Sequence, residues 1–136
     1  SNNMIYQGSS SEALLKGEVK ITSGLGLIDG VIIDTHFVQR GRIGRLFQAV
    51  VGNPKVLGIG LGEDTGLLIT NNSMMEAIGS GLVIFVDGKE IKDTNLTQVE
   101  LGQPISINHL VTHVMSINDT FDLTTFKMTI KSSQYV

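Results

Sequence analysis

Two segments that contain short apolar runs, "VIIDTHF" over 31–37 and "KVLGIGL" over 55–61, flank a segment with a different rhythm. β-Branched and apolar residues in short continuous runs predict strands buried on both faces. Between them, "GRIGRLFQAVVGNP" sets Ile43, Leu46, Phe47 and Val50 at i, i+3, i+4 and i+7. That spacing predicts a helix with one apolar stripe, ending at Gly52-Asn53-Pro54 because proline cannot continue it. The three segments form a strand-helix-strand unit. Ahead of them, "SSSEALLKGEV" predicts a short helical turn opened by a serine cap, and "GLGLIDG" a loop. After them the pattern turns to strands: "LLIT", "MMEAIG", "GLVIFV" closed by Asp87-Gly88, "PISINHLVTHVMS" and "FDLTTFKMTI". The expected architecture is α/β, the C-terminal part of a three-layer α/β/α sandwich in which parallel strands are followed by antiparallel hairpins. One crossover helix is few for such a sheet, whose faces both need cover, so residues 1–136 are expected to form a single partial domain.

The chain has 136 residues, enough for one domain, and 41% of them are hydrophobic. Thirteen acidic residues against ten basic ones leave a net charge of −3. A mildly acidic chain has no basic excess to neutralise a phosphate backbone, which argues against nucleic acid as a partner. There are no cysteines, so disulfides, thiol nucleophiles and thiolate metal sites are excluded. No apolar run approaches the roughly 18 residues of a membrane span. A cytoplasmic protein away from membranes is expected. Secretion stays open, because the first methionine is residue 4 and "SNN" does not read as a natural start.

Against this background one stretch stands out. "DTHFVQRGRIGRL", Asp34 to Leu46, holds three of the ten positive charges within six residues, at Arg40, Arg42 and Arg45. Arg42 and Arg45 are three apart at the predicted helix start and share a face. Guanidinium groups grip carboxylates through two parallel hydrogen bonds. The arginines therefore read either as a binding site for an acidic ligand or as surface residues that pair with Asp34 or Glu63. His36 stands near the end of a predicted strand, where open α/β sheets bind ligands, and Glu63 stands in the turn after the next strand. A histidine oriented by a carboxylate is two-thirds of a nucleophilic triad. The plainer alternative is a hydrogen-bonded structural histidine, and Asp64 competes with Glu63 for the acidic role.

Three weaker patterns lead elsewhere. "GLGLIDG" and "GIGLGEDTG" look like phosphate loops, but neither runs from a strand straight into a helix, so tight turns explain their glycines better. His109 and His113 would share a face in a regular strand or helix, yet no third ligand lies nearby. Asn71, Asn95 and Asn118 head glycosylation sequons, which carry meaning only in a secreted protein.

"VIIDTHFVQRGRIGRL" followed by "GIGLGEDTGLLI" resembles the cyanophycinases, serine peptidases of the superfamily that includes the aspartyl dipeptidases. The resemblance runs from about Met4 into "HLVTHVMSINDTFDL". Cyanophycinases cleave cyanophycin, a poly-aspartate backbone with arginine on each side-chain carboxylate, and release β-Asp-Arg dipeptides. The resemblance implies a catalytic histidine at His36 and a triad acid at Glu63. Asp34, Thr35, Arg40, Arg42 and Arg45 then match positions lining the substrate pocket, with Thr35 standing where a glutamine is expected. It implies no cofactor and no metal.

The family's nucleophile lies in a Gly-Thr-Ser-Ala-Gly motif just upstream of the segment matching "MIYQG", and residues 1–136 contain no such motif. The expected partners are thus the N-terminal half of the same enzyme, an acidic or cyanophycin-type peptide, and a second copy in a homodimer. Within the superfamily an α-aspartyl dipeptidase is the enzymatic alternative. Outside it stand a remnant that binds acidic ligands without cleaving them, and use of Ser1 as an N-terminal nucleophile.

Overall fold

A computed structural model of the chain describes residues 3–7, 20–23, 30–35, 43–71 and 73–131. The predicted helical turn at 9–19 and nearly all of the "GLGLIDG" loop lie outside these residues. The strands are β1 (Asn3–Gln7), β2 (Lys20–Ser23), β3 (Val31–Thr35), β4 (Leu57–Leu61), β5 (Thr65–Thr70), β6 (Met74–Gly79), β7 (Val83–Asp87), β8 (Asp93–Thr94), β9 (Ile107–Asn108), β10 (Val111–Met115), β11 (Thr120–Asp122) and β12 (Lys127–Thr129). The helix described is α1 (Ile43–Gly52). It ends where the sequence predicts, and a turn hydrogen bond from the Asn53 amide to the Val50 carbonyl (3.1 Å) closes it ahead of Pro54.

A six-stranded sheet in the order β10-β7-β4-β3-β1-β2 forms the centre. Its β1, β3 and β4 are mutually parallel, while β2, β7 and β10 run against their neighbours. This is the expected α/β class; antiparallel strands follow β4 in the chain, and an antiparallel edge strand, β2, also lies between the parallel β1 and β3 in sequence. After β4 the chain leaves for a second sheet, β12-β11-β6-β5, and returns as β7 beside β4.

Register explains the layers. Across the central sheet, Ile33, Ile59, Phe85 and His113 are in line, as are Thr35, Leu61, Val83 and Met115. Side chains alternate along a strand, so these rows share one face. Val31, Leu57, Ile59, Val83, Phe85 and Met115 pack there against Met75, Ala77 and Phe121 of the second sheet. The intervening rows, Ile32-Gly58-Val86 and Asp34-Gly60-Ile84, face α1. Leu46 and Val50 of the predicted stripe meet Val86 on that side, with Phe47 half-buried beside them. Gly58 lets the helix sit close, since a β-carbon there would lie 2.6 Å from Val50 Cγ2. Among the described residues, one face of the central sheet thus carries a helix and the other a four-stranded sheet.

Two predicted strands resolve into smaller pieces. "PISINHLVTHVMS" splits into β9 and β10 at His109, which takes a left-handed φ of 61°. "FDLTTFKMTI" folds back on itself as the β11–β12 hairpin, with Phe126 at φ 55°. No helix of the described residues is long and apolar enough to cross a membrane.

Candidate functional site

Parallel pairing of β3 with β4 puts Thr35 opposite Leu61, so both strands finish at the same edge of the sheet. A cavity of about 490 Å³ opens there, lined by Thr35, Leu61, Gly62, Glu63, Asp64 and Thr65. This is the carboxyl edge of parallel strands, the place where open α/β sheets bind ligands. Glu63 and Asp64 occupy a tight turn between β4 and β5, both exposed, with Asp64 in the left-handed region at φ 56°. The alternation that would separate their side chains in a continuing strand does not apply, because the strand stops at Leu61.

The turn is held from several sides. The Gly62 amide donates to the Leu82 carbonyl at 3.0 Å, and the Ser80 amide donates to the Asp64 carbonyl at 3.0 Å. The Thr65 hydroxyl donates to the Gly62 carbonyl and approaches the Glu63 carbonyl at 3.4 Å. Thr65, Ser80 and the two glycines around Ser80 were not singled out by sequence reasoning. The "GSG" triplet between two apolar runs signals a tight turn. Nothing in the linear pattern says that this turn lies beneath Glu63.

Asp34 and Arg45 meet each other. Arg45 Nε donates to Asp34 Oδ2 at 2.6 Å, and Arg45 Nη2 pairs with Asp34 Oδ1. The pair lies on the helix side of the sheet, with side chains only 2% (Asp34) and 9% (Arg45) exposed. Of the two ways of reading this arginine from sequence, pairing with Asp34 is the one seen. Neither residue lines the cavity, which Thr35 reaches from the opposite face of the same strand.

The seven candidate residues therefore divide into three groups. Thr35 and Glu63 share the cavity, and Asp34 and Arg45 are paired beneath α1. His36, Arg40 and Arg42 lie outside the described residues, in the segment linking Thr35 to α1. Away from this edge, His109 is exposed beside Asn108, while the His113 ring packs 5.6 Å from that of Phe121. The break at His109 removes the regular geometry on which a shared histidine face depended. Among the described residues no cluster of three or more His, Asp or Glu side chains could hold a metal ion.

The fold and the rim define an α/β protein with a polar cavity at the carboxyl ends of two parallel strands. No protein-family model matches the chain. Its sequence is 38% identical over 122 residues to the cyanophycinase of Trichormus variabilis, a match covering 90% of this chain and 41% of that relative. Against the cyanophycinase of Synechococcus elongatus it is 34% identical over 125 residues, covering 92% and 39% respectively. Against that of Geminocystis herdmanii it is 36% identical over 121 residues, covering 89% and 44%. The chain is a homologue of the cyanophycinases, and it spans about two-fifths of the length of the curated relatives it matches.

Proposed function

We propose that this chain supplies the histidine and the acid of a serine-type peptidase that degrades cyanophycin. One observation carries the reading. The β3–β4 register sets Thr35, the residue before His36, beside the strand that ends two residues before Glu63, and Thr35 and Glu63 open onto one cavity. In the proposed reaction a serine hydroxyl from a segment outside residues 1–136 attacks the peptide carbonyl. His36 takes its proton as general base and passes it to the leaving amine, while Glu63 accepts a hydrogen bond from the other ring nitrogen and stabilises the imidazolium. Water then attacks the acyl-enzyme by the same route, releasing β-Asp-Arg.

The arginines divide their work in this proposal. The buried Asp34–Arg45 pair fixes the two ends of the segment 35–44, while Arg40 and Arg42 within it bind the free α-carboxylates of the arginines attached along the substrate's backbone.

The test joins this chain to the nucleophile-bearing segment of a cyanophycinase relative and measures dipeptide release from cyanophycin and from α-aspartyl dipeptides. Release from cyanophycin that His36→Ala abolishes supports the proposal. Undiminished release in that variant rejects the assignment of His36, and a preference for α-aspartyl dipeptides would make the chain part of a dipeptidase instead.

A further inference from the structure

We infer that Gly81, together with Gly79 and Thr65, positions Glu63 by clamping the backbone of its turn against the turn between β6 and β7. The inference rests on the reading of Glu63 as the triad acid and deepens it.

A carboxylate that must meet an imidazole needs a fixed Cα, because small errors at the backbone are amplified along a flexible glutamate side chain. Here the backbone is gripped at three consecutive carbonyls. The Gly62 carbonyl receives the Thr65 hydroxyl, the Glu63 carbonyl lies over Gly81, and the Asp64 carbonyl receives the Ser80 amide. The contacts leave no room for side chains beneath. A β-carbon on Gly81 would lie 2.6 Å from the Glu63 oxygen, and one on Gly79 would lie 1.9 Å from the Asp64 oxygen. Gly79 also takes a φ of 89°, open to glycine and strained for other residues.

The two glycines therefore do separate things. Gly79 makes the turn possible, and Gly81 sets how closely Glu63 approaches it. Thr65 ties the turn from within, since its side-chain atoms lie 3.3 Å from the same Gly81 position. None of the three needs to touch substrate for this role. They are positioning residues.

Gly81→Ala lifts the Glu63 carbonyl by requiring the backbone to move, and an error near 1 Å in a catalytic group costs roughly a hundred-fold in rate. The experiment measures kcat and KM for cyanophycin in the chain joined to a nucleophile-bearing segment. The parent, Glu63→Gln, Gly81→Ala and the double variant are compared. The expected result is a kcat lowered roughly a hundred-fold by Gly81→Ala with KM unchanged, and no further loss when the substitution is added to Glu63→Gln, because residues that act as a unit are not additive. Should Gly81→Ala not fold, Thr65→Val decides the matter. It replaces the hydroxyl with a methyl of similar size, and kcat should drop about ten-fold in the parent and not at all in the Glu63→Gln background.

Equal losses in both backgrounds would overturn the inference while leaving the triad reading intact, as would parent-like kcat in Gly81→Ala and Thr65→Val. A Glu63→Gln variant as fast as the parent, or a parent that releases no dipeptide, would overturn the triad reading and with it this inference.

Discussion

Arg45 reaches from the first turns of α1 back to Asp34, eleven residues earlier on β3, and holds both carboxylate oxygens of that side chain beneath the helix. A bidentate pair of this kind joins two elements at fixed distance and angle. Its position gives it consequences for both stability and function, because the segment it brackets contains His36, Arg40 and Arg42.

Breaking the pair from one side should be costly. Asp34→Ala leaves a guanidinium buried without its partner, and removing one member of a buried ion pair typically costs about 3–5 kcal/mol. Urea unfolding of the variant should show a lowered midpoint with an unchanged slope. The double variant Asp34→Leu with Arg45→Met should recover much of the loss, since well-packed apolar groups often replace a buried pair at little cost. A double variant no more stable than Asp34→Ala would show that the pair matters for something besides its own charge balance.

The three arginines should separate experimentally. Lysine keeps the charge but loses the two-pronged geometry. Arg40→Lys and Arg42→Lys, tested in the chain joined to a nucleophile-bearing segment, should raise KM for cyanophycin by roughly ten-fold and leave kcat and unfolding largely as they were. Arg45→Lys should act mainly on unfolding, lowering stability by about 1–3 kcal/mol through one lost buried hydrogen bond. A large KM effect from Arg45→Lys with parent-like stability would place that side chain on the substrate.

How much of this was legible beforehand follows from which forces are local. The strand β3 is readable because of its short continuous run of β-branched residues, and the helix α1 because its apolar residues repeat with the helical period. The strands β1 and β2, "NMIYQ" and "KITS", have no such signature, and their conformation comes from pairing with each other and with β3. The break at His109 was hidden because "ISINHLVTHV" alternates well enough to pass for one strand, and a histidine's tolerance of the left-handed region is too weak a mark to override that alternation. Of the two residues that the strand ends were expected to bring together, Glu63 lines a cavity with Thr35 and His36 lies outside the described residues, whereas the pairing of Asp34 with Arg45 depended on which face of β3 the helix would cover.

The second sheet has its own anchor in Asp119, a buried carboxylate at the turn between β10 and β11. It accepts hydrogen bonds from the Ser116 amide (3.0 Å) and hydroxyl (3.3 Å) on one oxygen, and from the Lys131 amide (2.9 Å) on the other. Asp119→Ala would leave the partly buried donors that face it without their acceptor and should cost about 1–3 kcal/mol. Thermal unfolding should register this as a clear drop in melting temperature. Hydrogen exchange should speed up first at the Ser116 and Lys131 amides, and protection there equal to the parent's would mean that other acceptors hold the turn.

Phe121 tests whether the two sheets form one unit with the site. Its ring stands edge-on to Phe85 of the central sheet, centroids 4.4 Å apart at 78°, and both side chains are fully buried. The contact fastens β11, and through it β6, to the central sheet. Since β6 ends at Gly79, the packing also supports the turn on which Glu63 rests. Phe121→Ala should destabilise the protein by about 3–5 kcal/mol through lost burial and a cavity. Phe121→Leu retains most of the burial and should cost much less. The informative measurement is hydrogen exchange at the Gly62 and Ser80 amides, which should accelerate in Phe121→Ala under conditions where the protein is still folded. If those amides stay as protected as in the parent while β11 loses protection, the Glu63 turn is held by its own contacts and does not need the second sheet's grip on the first.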